Sequence, residues 1–284
     1  MRVSTVVILG AGDIGGALAR QLAATDVVSR IVIVDDLANV AAGKALDVAQ
    51  SAPVDRYHTV MAGTADVAAV VGAVAVIVAD TAANPVSEWK DEGGLALVKR
   101  LAGLNQLAPI ICAGASQASV IERGVIELGV SRMRLFGSAP EALRAAITAI
   151  VSLEAGAAPQ DISLSVLGRA PQQIIVPWDE VSIAGRTATE VLSAAQLARL
   201  DARVARLWPP GPYALGGAAA RLVRTALTRA PRVHAALVAV GRDEGSPGRA
   251  AMLPVTLQPT GLASLVAPAL SARDRVRFET TIRT

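Results

Sequence analysis

Gly10-Ala11-Gly12-Asp13-Ile14-Gly15 is the stretch on which the fold of this chain turns. It follows Thr5–Leu9, an unbroken apolar and β-branched run of the kind that forms a strand buried on both faces. It opens Ile14–Ala24, which is rich in Ala and Leu and reads as a helix. Between such a strand and such a helix each glycine has a task. Gly10 permits the tight turn, Gly12 lets a pyrophosphate approach the backbone, and Gly15 lets helix and strand pack closely. The helix N-terminus offers unpaired amides and about half a positive charge to phosphates. A second buried strand, Ile31–Val34, ends at Asp35, 20 residues after Gly15. A carboxylate there accepts hydrogen bonds from ribose hydroxyls and repels a 2′-phosphate, which favours NAD over NADP. The expected cofactor-binding residues are Gly10, Gly12, Asp13, Ile14, Gly15 and Asp35 of a Rossmann unit.

Outward from this unit the segments keep alternating. Val40–Gln50 reads as a helix, Val74–Ala79 as a strand and Glu92–Leu104 as a helix. Ile110–Ala113 is a strand, Ala118–Leu128 a helix and Arg134–Phe136 a short strand. Such alternation argues for an α/β, doubly wound parallel sheet with helices on both faces, assigned to residues 1–139. Residues 140–284 change character and read as an α+β domain. Helices are expected over Pro140–Leu153, Ala194–Leu207 and Gly216–Thr228. The rigid break Trp208-Pro209-Pro210-Gly211-Pro212 separates the last two. Strands are expected over Ile162–Leu167, Ile174–Val176, Val233–Val240 and Met252–Leu257, with a polar turn at Arg242–Arg249. Ser271 caps a final helix to Thr284.

Composition narrows the function classes. Hydrophobic residues make up 52% of the 284 residues but aromatics only 2%, so the core must be Ala, Val, Leu and Ile. The 27 Lys and Arg face 24 Asp and Glu, dispersed without a block of five like charges, which speaks against a nucleic-acid partner. Cys112 is the one cysteine, so no intrachain disulfide forms, and its apolar surroundings point to a buried thiol in a reducing, cytoplasmic setting. The N-terminus does not read as a signal peptide. Val67–Ala79, the longest uncharged apolar stretch, is too short to span a membrane. No Cys/His spacing suggests a metal.

Further motifs point to a family. Gly43-Lys44-Ala45-Leu46-Asp47, Gln50-Ser51-Ala52-Pro53, Gly63-Thr64-Ala65-Asp66 and Gly72-Ala73 stand in the order found in lactate and malate dehydrogenases. So do Val176-Pro177, Ala184-Gly185, Tyr213-Ala214, Ala218-Ala219-Ala220, Pro254-Val255, Gly261 and Pro268-Ala269-Leu270-Ser271. The chain resembles that family over essentially its whole length. The resemblance implies NAD, a homo-oligomer (dimer or tetramer), and hydride transfer to or from a 2-hydroxy acid. It also implies a His base, an Asp that orients it, an Asn, and arginines for the substrate carboxylate.

Aligned to this chain, those positions are altered. The His falls on Ala170, and the Asp and following Arg on Pro140 and Leu143. The Asn-Pro pair falls on Gly114-Ala115, and the two loop arginines on Asn84 and Lys90. The lysine keeps charge but not a bidentate fork. General acid–base catalysis typically contributes about 10²–10⁴-fold, so its loss removes most of a reaction rate. The two histidines, His58 and His234, read as an exposed turn residue and a strand residue. The leading expectation is a protein that binds NAD(H) without ordinary 2-hydroxy acid dehydrogenase activity. A second reading is an oxidoreductase on an atypical small carboxylate substrate. Its rebuilt site would draw on Lys90, Asp80, Arg169, Gln172 and Gln173, with Arg169 one residue from the lost His position. A third is a structural relic acting through oligomer contacts.

Overall fold

The computed structural model describes residues 4–83, 87–240 and 249–283. The first half runs β1 (Thr5–Leu9), α1 (Asp13–Ala23), β2 (Arg30–Val34), α2 (Ala38–Asp55), β3 (Val60–Thr64) and β4 (Ala75–Val78). A small hairpin follows, β5 (Asp80–Thr81) and β6 (Ser87–Glu88). Then come α3 (Asp91–Leu104), β7 (Ile110–Cys112), α4 (Ala118–Ile126) and β8 (Leu135–Gly137). The second half holds α5 (Ala139–Ala155), β9 (Ile162–Ser163), β10 (Leu167–Arg169), β11 (Gln173–Ile175), β12 (Ser182–Ile183) and β13 (Arg186–Thr187). It ends with α6 (Ala188–Val191), α7 (Ala194–Val204), α8 (Pro212–Thr228), β14 (His234–Ala239), β15 (Ala250–Gln258), β16 (Gly261–Leu265) and α9 (Ala272–Arg283).

Six strands, ordered β3-β2-β1-β4-β7-β8, form the parallel part of the main sheet. The order steps outward in both directions from β1, which puts the β1–α1 turn at the switch point where open α/β sheets bind ligands. Beyond β8 the sheet continues antiparallel through β14, β15, β10 and β11. Val6 and Ile8 point into one buried cluster, Val7 and Leu9 into another, and β2, β4 and β7 repeat the alternation. Both faces being dry, the central strands are apolar beyond the Thr5 and Arg30 that open β1 and β2, which is why their sequences read as continuous apolar runs.

Three departures from the sequence reading have local causes. β3 was not read as a strand from its residue pattern, although Gly63-Thr64-Ala65-Asp66 resembles the third-strand region of the lactate and malate dehydrogenases. Its Val-Met-Ala-Gly-Thr sequence lies on the sheet edge and stays partly exposed, so it shows no apolar run. Its Gly63 is needed by packing, since a Cβ there would lie 2.3 Å from the Ala41 backbone of α2. The segment expected as one strand over Ile162–Leu167 is divided between a three-stranded side sheet and the main sheet. α8 begins at Pro212, four residues earlier than expected, because proline suits a first helical position. The final helix is capped as anticipated, the Ser271 hydroxyl accepting the Asp274 amide. The turn expected at Arg242–Arg249 lies, but for Arg249, outside the described residues.

Candidate functional site

The glycine turn has the backbone its sequence calls for. Gly10 sits at φ +111°, where an L side chain is strained, and its added Cβ would lie 2.1 Å from the Asp80 carbonyl oxygen. A Cβ on Gly15 would lie 2.1 Å from the Gly10 carbonyl oxygen, so helix and strand touch there. Gly12 is the N-cap of α1 and supplies no side-chain cap, while Asp13 is exposed in the first turn. The start of α1 therefore presents amides that need an acceptor.

That acceptor is Asp80, at the end of the strand next to β1. Its Oδ2 accepts the Ile14 amide at 3.0 Å and its Oδ1 the Gly15 amide at 2.9 Å. Its carbonyl accepts the Gly12 amide at 3.0 Å. The carboxyl lies flat against Gly12, where an added Cβ would stand 2.4 Å from Cγ. Asp80 is buried, and burial pushes its carboxyl above the usual carboxylate range despite the amide hydrogen bonds. Asp13 adds repulsion in the same direction.

Asp35 is likewise occupied. It is buried, and its Oδ2 accepts the Ala11 amide at 2.9 Å and the Ala82 amide at 2.9 Å, while Oδ1 accepts Leu37. At the far side, Glu88 takes the Ala115 amide at 2.9 Å and the Ser116 amide at 2.6 Å. Its carboxyl covers Gly114, one of the two residues expected from the sequence at the Asn-Pro position. Asp80 and Glu88 are register partners across the β5–β6 hairpin. What remains open beside the turn is a cavity of about 210 Å³ lined by Asp13, Ile14, Asp80, Glu88, Pro209 and Leu215 among others. Ligand clefts typically start near 300 Å³. The two α1 amides nearest the turn, Ile14 and Gly15, are both taken by the Asp80 carboxylate, and Asp35 is held by the amides of Ala11, Leu37 and Ala82. A larger cavity of about 710 Å³ lies elsewhere, between α1 and α8, and is bordered by Arg221, Arg224 and Arg232.

On the substrate side, Ala170 is half-buried and Pro140 and Leu143 are buried in α5. Lys90 is exposed at the N-cap of α3, and Asn84 lies outside the described residues. Arg169 pairs with Glu122 at 3.3 Å, and Glu122 also accepts the Ala250 amide. Gln172 is exposed between β10 and β11, and Gln173 begins β11. His58 is exposed and paired with Asp26 at 3.0 Å. His234 is fully buried, bonded through Nδ1 to Glu141 at 3.1 Å and through Nε2 to the Thr225 hydroxyl at 3.0 Å. Cys112 is buried, and burial pushes its thiol up to about 12, so it is inert. Among the described residues no group of His, Cys, Asp and Glu could hold a metal, and no helix is long and apolar enough to cross a membrane.

No family model matches the chain. Individual proteins do. The malate dehydrogenase of Sulfurimonas denitrificans is 24% identical, covering 96% of this chain and 90% of its own. That of Desulforudis audaxviator is 26% identical over 99% of this chain and 96% of its own. Among solved structures, malate dehydrogenase from Salinibacter ruber superposes with a TM-score of 0.87 at 19% identity, covering 98% of this chain and 93% of that one. Lactate dehydrogenase from Cryptosporidium parvum, complexed with lactic acid and β-nicotinamide adenine dinucleotide, gives 0.86 at 16% identity, covering 99% and 95%. The chain is similar to malate and lactate dehydrogenases along its whole length, as its motifs imply.

Proposed function

We propose that this chain, a distant relative of the malate and lactate dehydrogenases, binds a nicotinamide dinucleotide without running their 2-hydroxy acid reaction. NAD is favoured over NADP because Asp35 would face the ribose and repel a 2′-phosphate. The observation that carries the second half is the makeup of the substrate side. Ala170, Pro140 and Leu143 hold no proton-transferring or carboxylate-binding group, and the nearby Arg169 is already paired with Glu122. Neither histidine is available as a base, since His58 pairs with Asp26 and His234 is sealed between Glu141 and Thr225. The reading further takes the protein to be a cytoplasmic dimer or tetramer, as the family resemblance implies.

Titrating NADH while following nicotinamide fluorescence, then adding a panel of 2-oxo acids at high protein concentration, tests both halves. Binding without NADH decay is expected. Decay with any one acid would restore a dehydrogenase and identify its substrate class, Arg169 then being the first residue to replace. Absence of binding to any form of the protein would remove the cofactor.

A further inference from the structure

We propose that Asp80 is a built-in competitor for the dinucleotide phosphates: its carboxylate holds the glycine-turn amides, and a dinucleotide binds only by displacing it. The inference rests on the reading that this cleft takes a nicotinamide dinucleotide, and it assigns what sets the affinity.

Four observations converge on it. First, the contacts are those a phosphate would make. Anionic oxygens at about hydrogen-bond distance from the Ile14 and Gly15 amides, lying flat on Gly12, reproduce the way a helix N-terminus holds an anion. One amide hydrogen cannot serve two such acceptors at full strength, so Asp80 and a phosphate exclude each other. Second, α1 has no cap of its own at Gly12. Asp80 caps it from 66 residues away in sequence, and the cap is therefore tertiary and separable from the helix.

Third, no cation among the described residues locks Asp80 in place. The charged groups around it are the acids Asp13 on α1, Asp35 at the end of β2 and Glu88 on β6. Lys44 of α2 lies against Gly16, the helix residue after Gly15, and makes no ion pair with Asp80 among the described residues. A carboxylate held by neutral amides among other carboxylates is bound by direction rather than by charge, and a doubly charged pyrophosphate competes well for the same donors. Fourth, Ala82, two residues along from Asp80, donates to Asp35. Moving the Asp80 segment off the turn also releases the ribose-facing carboxylate, so the phosphate and ribose positions open together.

The consequence is a dinucleotide affinity set by one side chain. A hydrogen bond to a charged group contributes on the order of 1.5–3 kcal/mol, which corresponds to about ten- to a hundredfold in binding.

The test is calorimetric titration of wild type, Asp80→Ala and Asp80→Asn with NADH and, separately, with inorganic pyrophosphate, at neutral pH. Circular dichroism would confirm that each variant is folded. Asp80→Asn keeps the shape and an acceptor oxygen, and it covers the case in which Asp80→Ala fails to fold. The expected result is NADH binding at least about tenfold tighter in Asp80→Ala than in wild type, with Asp80→Asn between them. Equal NADH affinity in wild type and both variants would overturn the role of Asp80 and leave the cofactor reading standing. Pyrophosphate bound by the variants but not by wild type, with no NADH bound by any form, would uphold the role of Asp80 and overturn the cofactor reading. Variants that bind neither ligand would overturn the proposal.

Discussion

Two buried carboxylates, Asp80 at the glycine turn and Glu141 at the start of α5, show how differently the fold treats the same group. Both are almost wholly removed from solvent, and both accept backbone amides. Glu141 also receives the Arg144 guanidinium through both oxygens and the His234 ring, with Arg221 at 3.4 Å. Its carboxylate is acceptor-only, so His234 Nδ1 is the donor to it, while Nε2 lies 3.0 Å from the Thr225 hydroxyl. Burial raises the Glu141 pKa, but hydrogen bonds from His234 and Arg144 outweigh it and hold the group down at about 2. At Asp80 no cation among the described residues answers burial, and the shift is upward. A carboxylate neutralised by cations is a fixed structural part. One held by amides alone keeps its charge uncompensated and can be exchanged for another anion.

Removing Glu141 should produce the largest effect. Glu141→Ala strands Arg144, His234 and the Ala235 amide in a dry interior, and should lower stability by about 3–5 kcal/mol in urea unfolding at neutral pH. A loss below about 1 kcal/mol would erase the contrast. The pH dependence has a matching sign. Because the folded pKa is depressed from 4.5, the stability Glu141 contributes is full above about pH 4.5 and drains away as pH falls toward 2.

Gly10→Ala should come next. It forces a Cβ into positive φ and against the Asp80 carbonyl, at a cost of about 3 kcal/mol or more by the same assay. Asp80→Asn sharpens the comparison from the other side. A raised folded pKa means that wild-type stability is lost as pH rises through it. The stability of Asp80→Asn relative to wild type should therefore grow between pH 3 and pH 7, the reverse of the Glu141 dependence. A flat difference across that range would mean that Asp80 carries no charge penalty. The smallest effect belongs to Arg169→Ala, which breaks one partly exposed pair with Glu122 and should cost about 1 kcal/mol or less, without changing NADH binding.

Much of the fold could be read from single stretches. β1 and β2 announce themselves as apolar runs, and the turn itself requires Gly10 by its positive φ and Gly15 by the contact with the Gly10 carbonyl. Cys112 was legible as an interior residue from its apolar run, while for His234 the strand context left core or edge open and the fold buries it. The edge strand β3 was not legible in its residue pattern, because its side chains stay half in water and leave no apolar signature. Motif order pointed to Ala170, Pro140 and Leu143 as the positions to inspect, but that Arg169 is already engaged by Glu122, 47 residues away in sequence, could not be read from it.

The sequence by itself determined the buried strands of the parallel core, the long helices and the glycine turn, because strand and helix patterns are written by neighbours and by which faces must leave water. It placed an aspartate at position 80 but could not say what that carboxylate does. Only the tertiary structure decided that Asp80, Asp35 and Glu88 answer the amides of the cleft. The partner of an amide at a helix start is chosen by which strand ends lie beside it, and β4 reaches α1 only through the pairing of the sheet.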